Sequence, residues 1–265
     1  MQNTPLLTDR TALLRNRSRA RDRFLHEIAR DELLDRLSLV NREFKDPIII
    51  GPADKFLVGA QLIEDAETLH VTPAAHDLAI HFMALHWAND PVGQIIQSAR
   101  ALRPDGHFQA ACLGGQTLHE LRSCLAQAES EVTGGLSPRI TPMGEIRDLG
   151  ALLQRAGLAL PVADSITIKT SYQSVYHLMR DLRKFGETNA LNARLRRPTQ
   201  RSVFERCAEL YDQTFSEDGK IIATFEFLFL SGWAPSADQP KPLRPGSATT
   251  RLADALKTTE KPLRD

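Results

Sequence analysis

The chain has little of what marks a secreted, membrane-spanning or nucleic-acid-binding protein. Its three cysteines, Cys112, Cys124 and Cys207, are odd in number and widely spaced. That pattern excludes a disulfide framework or a zinc knuckle and points to a reducing compartment, with all three read as small buried hydrophobes. Neither sign of charge is in excess, since Lys+Arg and Asp+Glu each total 33, so bulk electrostatics give no pull toward nucleic acid. The strongest apolar stretches, such as Phe225–Leu230, are far too short to cross a bilayer. The N-terminus has no continuous apolar segment, so no signal peptide is expected. There is also no Gly-x-Ser-x-Gly elbow and no Cys–His nucleophile arrangement. His70, His76, His81 and His86 match no compact ligand spacing, so no metal site is expected and His81 reads as a core residue.

What is present is an alternation of strand and helix patterns. The 265 residues, 42% hydrophobic, suit one α/β domain with additions or two small domains. Apolar residues recur at helical spacing from Asp22 to Val40. "PIIIG" (Pro47–Gly51) is a short, continuously apolar strand of a sheet buried on both faces, and it opens what reads as a strand–loop–helix. Further strands are expected at Ala60–Asp65, His76–Trp87, "HFQAACL" (His107–Leu113), Val162–Thr170 and Lys220–Trp233. Helices are expected from Asn89 to Leu102, Thr117 to Val132, Gly144 to Ala156, Tyr172 to Phe185 and Gln200 to Phe215. "RPDG" makes a turn and "GGLSPRITP" (Gly134–Pro142) a loop. The tail from Ala234 is extended, with a short helix at Thr250–Leu256. The expected architecture is α/β with a mostly parallel sheet: an N-terminal helical segment (1–45), an α/β domain (46–233) and an extended tail (234–265).

Three stretches could carry chemistry. Gly51 could let a loop approach a nucleotide-like ligand, but Pro52 lacks an N–H and Asp54 and Lys55 add bulk, so a plain strand-to-helix turn is the favoured reading. The acids Glu64, Asp65 and Glu67 end a strand, where carboxylates commonly hold a ribose or an amino group; a solvated acidic turn is the alternative. In "LHWANDP", His86 could be a base or donor, Trp87 an apolar wall, and Asn89 or Asp90 a polar anchor. Asp90 equally makes an ordinary helix cap. The Arg-rich segment "RTALLRNRSRARDR" reads either as an amphipathic targeting helix or as a basic first helix of the fold.

"LHWANDP", "ALRPDGHF" and "GGQTLHELR" together resemble class I S-adenosylmethionine-dependent methyltransferases. "GGLSPRITP", "DLGALLQRAG", "LMRDLRKFGETNAL" and "SGW…PLRPGSA" resemble one subfamily, that of the methyltransferase-fold mitochondrial complex I assembly factor, described as a protein-arginine hydroxylase, and its bacterial relatives. A more distant similarity is to the malonyl carrier-protein methyltransferase of the biotin pathway. The resemblance runs from about Leu7 to Leu256 and takes the Arg-rich segment as the family's own domain opening. It implies a Rossmann-like class I methyltransferase fold. It also implies S-adenosyl-L-methionine as cofactor, with Gly51, Glu64, Asp65, Leu85 and His86 beside it, and His86, Trp87 and Asn89 as catalytic candidates. A complex I subunit is the implied partner, and the implied location is the cytoplasm, at the inner membrane through that partner. The chain departs from the family's pattern where it matters for the cofactor. Ile49 stands where an acid ends the first strand, and only Gly51 matches the glycine-rich loop. The segment from Gly51 to Asp77 is short by one βα unit. If it aligns with the third strand, Asp65 is the acid near the adenine; if with the second, Glu64 is the ribose ligand. The departures point to impaired or lost cofactor binding.

Overall fold

The computed structural model describes residues 6–52, 55–239, 250 and 252–258. Met1–Pro235 form one compact unit and Ser236–Asp265 a second.

Helix α1 (Arg10–Arg17) starts at Asp9, whose carboxylate accepts the Ala12 N–H at 3.0 Å. Helix α2 (Phe24–Ser38) follows and turns Leu25, Ala29 and Leu33 inward. Strand β1 (Pro47–Ile50) is buried at every position. The period-2 alternation of side chains explains this. Ile49 faces the core on one side of the sheet with α2, whereas Ile48 and Ile50 face the other side with α3 (Pro91–Ala101) and α5 (Ile146–Arg155). Strand β3 (His76–Phe82) is likewise buried throughout, because it lies in the middle of the sheet.

The sheet order is β2-β1-β3-β4-β7-β5. Here β2 is Gln61–Ile63, β4 Leu102–Leu113, β5 Ala159–Tyr172 and β7 Lys220–Trp233, with a two-residue β6 (Ser216–Glu217) paired to β7. The β1–β2, β1–β3 and β3–β4 pairs are parallel, and every pair made by β7 is antiparallel. Strand β7 therefore runs against all the others. Helices α4 (His119–Thr133), α6 (Val175–Phe185) and α7 (Arg201–Thr214) join α2 on one face. All three cysteines are buried thiols.

Most expected elements lie within a few residues of their places, but three differ. The strand expected over His76–Trp87 stops at Phe82, because Met83 takes a left-handed φ of 47° and Leu85–Trp87 form a 3-10 turn. "RPDG" is a bulge inside β4, where the pairing with β3 shifts register and Asp105 has φ 64°. After Gly51 the described residues show turns and no helix before β2. Between β1 and β3 one strand and no helix remain among the described residues, and β2 pairs directly with β1. In the second unit, α8 (Leu252–Ala255) lies within the expected tail helix, whereas "PLRPGSA" and Asp54 lie outside the described residues.

Gly51 ends β1 with φ 129°, and a Cβ there would lie 2.1 Å from the Phe82 carbonyl oxygen. The glycine is demanded by close backbone packing of β1 on β3. Gly51→Ala is expected to destabilise the fold by about 3 kcal/mol or more, read from urea unfolding, whereas Gly59→Ala, with nothing nearer than 3.9 Å, should cost less than half of that.

Candidate functional site

The parallel strands deliver their carboxyl ends, Ile50, Phe82 and Leu113, to one edge of the sheet, the edge where open α/β folds place ligands. Helix α1 is seated on that edge. Leu13 is fully buried with Ala12, Trp87 and Ala190. The chain before the helix is tied at both sides: Thr8 N–H donates to Asn89 Oδ1 at 2.8 Å, and Asp9 N–H to the Ala190 carbonyl at 2.8 Å.

Arg10 and Arg17 are seven residues apart, two helical turns, and share the inward face. Both converge on Asp65, just past β2. Arg17 Nη1 lies 2.9 and 3.0 Å from the two carboxylate oxygens, and Arg10 Nη1 lies 2.9 Å from Oδ2. Arg17 Nη2 also donates to the Met83 carbonyl at 3.3 Å. Burial pushes the Asp65 carboxyl upward, but Arg17 and then Arg10 outweigh it and hold it below the usual carboxylate range.

A second buried carboxylate, Glu187, sits in the turn after α6. Its side chain is 5% exposed. Its Oε2 accepts the Trp87 indole N–H at 2.6 Å and lies 3.3 Å from His86 Nε2. The Leu113 N–H approaches His86 Nδ1 at 3.4 Å, which places a proton on the nitrogen facing Glu187. Burial raises the Glu187 carboxyl, but the His86 hydrogen bond and charge, with Arg17 and His26 beyond, bring it down to about 2. Its Oε1 has no hydrogen-bond partner.

The structure thus brings Asp65, His86, Trp87 and Asn89 together. Asn89 also donates to Glu67 Oε1 at 2.7 Å. Gly51 lies on the same edge as backbone. Leu85 packs into the hydrophobic core on the α3 side, and Glu64 is exposed, so of the two neighbouring acids it is Asp65 that turns inward. Asp90 caps α3 through the Gly93 N–H at 2.8 Å. His81 is fully buried, with Nε2 3.2 Å from Gln94 Oε1 and Nδ1 unpartnered. Arg10, Arg17, His26 and Glu187 are the functional-edge residues that sequence reasoning passed over. Arg10 and Arg17 sat inside the Arg-rich segment, where their seven-residue spacing was the available signal. Glu187 sat in a loop-like "GETN" whose neighbours in space lie some hundred positions away.

Two crevices open here. One, of about 10 Å³, lies between Arg10, Asp65, His81, Asn89 and Gln94. The other, of about 30 Å³, is lined by Trp87, Thr117, Arg139, Thr141, Met143 and Glu187, among others. The loop 134–145 that walls it is pinned by Arg139, which grips Glu129 with two bonds of 2.7 and 2.9 Å and donates to Thr199 at 2.9 Å.

This sheet order, with a single reversed strand inserted between two that run the other way and the crevices at the carboxyl edge, defines a Rossmann-like class I methyltransferase fold. The chain belongs among the homologues of the NDUFAF5 proteins and of bacterial malonyl-[acyl-carrier protein] O-methyltransferases. It is 38% identical over 198 residues to "Arginine-hydroxylase NDUFAF5, mitochondrial" of Danio rerio, covering 74% of this chain and 61% of that one. To the malonyl-[acyl-carrier protein] O-methyltransferase of Laribacter hongkongensis it is 32% identical over 187 residues, covering 71% and 61%. The chain therefore spans about three fifths of these relatives' length. No protein-family model matches it. A Haemonchus contortus phosphoethanolamine N-methyltransferase solved with S-adenosyl-L-methionine superposes with a TM-score of 0.44 at 11% identity, covering 78% of this chain and 53% of that one.

The residues on this edge do not fit S-adenosyl-L-methionine. Both oxygens of Asp65, the inward acid, already accept guanidinium hydrogen bonds from the same chain. The crevice beside it offers only about 10 Å³, room for a single water, far below the roughly 300 Å³ at which small-molecule pockets begin. Strand β1 ends in isoleucines and a single glycine held against Phe82.

Burial pulls three histidines, His26, His81 and His107, down to about 4 from an ordinary 6.5. Each is buried uncharged, so the unfolded chain binds more protons between those values, and stability is full above pH 6.5 and falls as pH drops toward 4. At pH 5 each contributes a loss of about 2 kcal/mol. Urea unfolding at pH 7 and pH 5 should show this loss, and His26→Phe should reduce it by about one third.

Proposed function

We propose that this protein acts in the assembly of respiratory complex I by holding a segment of a complex I subunit, on a methyltransferase scaffold whose S-adenosyl-L-methionine site is closed by its own first helix. The observation that carries this reading is the Asp65 clamp: two internal guanidinium groups take the place and the charge that a bound cofactor would need. Replacing either arginine with a neutral hydroxyl pair would leave a buried charge under-compensated, so the closed arrangement is the stable one. In this reading the described residues 6–45 of the N-terminal segment cover the edge of the 46–233 domain, and the loop 134–145 with the turn at 186–192 forms the surface that meets the partner. The protein works in the cytoplasm and reaches the inner membrane through that partner. The relatives named for arginine hydroxylation favour a second reading in which the held segment is also modified on an arginine.

Isothermal titration with S-adenosyl-L-methionine is expected to give no heat, a Kd weaker than about 1 mM. Micromolar binding would overturn the closed-site reading. Deleting the gene should leave complex I incompletely assembled on native gels, and unimpaired assembly would remove the proposed role. Mass-mapping arginines of complex I subunits in the same strain separates the second reading, which requires a lost modification.

A further inference from the structure

The chain has a formal net charge of zero, yet its unpaired cations are not spread evenly. Helix α1 turns Arg10, Leu13 and Arg17 inward, which leaves Thr11, Leu14, Arg15 and Ser18 on its outer face. The connector that follows runs along the end of α6. There the Arg21 and Asp22 N–H groups both donate to the Lys184 carbonyl, at 2.8 and 3.2 Å. A Cβ on Gly186 would lie 3.2 Å from both Ala20 and Arg17, so the two segments are in close contact. The contact places exposed Arg15, Arg19 and Arg21 on the same stretch of surface as exposed Arg180 and Arg183 of α6. None of these five arginines makes an ion pair among the described residues. A groove of about 620 Å³ opens beside them, where Arg180 and Lys184 face the carboxylates Asp22, Glu27 and Asp181. Asp22 is used on the Phe24 N–H at 3.0 Å and Asp181 on Lys184 at 2.9 Å, so Glu27 is the remaining acid of that groove. Apolar side chains are exposed between the cations: Leu14 beside Arg15 at 48%, Phe24 at 40%, and Tyr176, one turn before Arg180, at 45%.

We propose that the outer face of α1, the connector after it and the end of α6 dock directly on an anionic lipid bilayer. The guanidinium groups meet headgroup phosphates, which they bind with forked hydrogen bonds. Leu14, Phe24 and Tyr176 enter the boundary between headgroups and acyl chains, where leucine and aromatic rings are favoured. Leucine offers no plane on which a base could stack, which favours a bilayer over single-stranded nucleic acid. Because the whole chain is neutral, the attraction is local and acts within about one Debye length of the surface. This surface is separate from the partner-holding reading, since contact with lipid needs no complex I subunit.

Sedimentation of the full chain with vesicles tests the surface. The protein should pellet with phosphatidylcholine vesicles that contain about 30% phosphatidylglycerol, and salt at about 0.5 M should release it. With phosphatidylcholine alone it should stay in solution. Arg15→Gln, Arg19→Gln and Arg21→Gln combined should weaken partitioning about a hundredfold, at roughly fivefold per arginine. All three side chains are exposed, so the thermal melt should be unchanged. Arg100→Gln, Arg147→Gln and Arg155→Gln combined remove the same charge from exposed positions on α3 and α5, on the other face of the sheet, and should change little. Leu14→Ser should weaken binding severalfold while leaving its salt dependence in place. Equal pelleting with neutral vesicles, no pelleting with either, or equal losses from the two triple variants would overturn the proposal. Binding to polyuridylate without binding to vesicles would overturn it too, and would assign the patch to nucleic acid. Vesicle binding together with normal complex I assembly on gene deletion would keep this surface and remove the assembly role.

Discussion

The carboxyl edge of the sheet depends on one buried ionic contact, Asp65 with Arg17 and Arg10. A carboxylate this buried is tolerable only with its charge matched and its oxygens hydrogen-bonded, and two guanidinium groups do both. The contact also fixes geometry. Because Arg10 and Arg17 are two turns apart, holding both on one carboxylate sets the direction of α1 and presses Leu13 against Trp87. Removing one partner of such a cluster costs about 3–5 kcal/mol, mostly because the remaining charge is stranded. The clamp makes this edge of the sheet part of the core.

The two buried carboxylates of the edge behave oppositely. Asp65 accepts three guanidinium hydrogen bonds, with both oxygens engaged. Glu187 is pinned through Oε2 by Trp87 and His86, yet retains a free Oε1. The pinned loop supports this division, because the Arg139–Glu129 fork keeps a wall in place beside Glu187 that would otherwise be a Gly- and Pro-bracketed surface loop. Stability at the edge is also sensitive to acid, since His26 lies beside the same cluster and is buried in its uncharged form.

Much of the fold was legible in advance because burial on two faces leaves an unambiguous pattern. Three consecutive isoleucines can only be a strand that meets helices on both sides, and that is how Ile48, Ile49 and Ile50 divide between the two cores. Lys220–Trp233 was readable for the same reason. The site was legible only in its local parts. "LHWANDP" brought His86, Trp87 and Asn89 to attention, and Asp90 as a helix cap, because they follow the central strand directly. Their partners Thr8 and Glu187 lie from 81 to 101 positions away from what they touch, and a contact over that separation leaves no periodicity in the sequence. The end of β3 at Phe82 was missed for a related reason: Met83 turns left-handed because the chain there packs on β1 and receives Arg17, which local propensity does not record.

The sequence by itself determined the α/β class, the order of most elements, the buried cysteines and the shortened segment between the first and third strands. It also determined that a lone glycine, Gly51, follows the first strand, since residue types at local spacing carry that information. Only the tertiary structure decided which of Glu64 and Asp65 turns inward, what fills the edge, and which carboxylate keeps a free oxygen. Those outcomes depend on charge compensation between distant segments, and a buried charge is resolved only once the chain has closed around it.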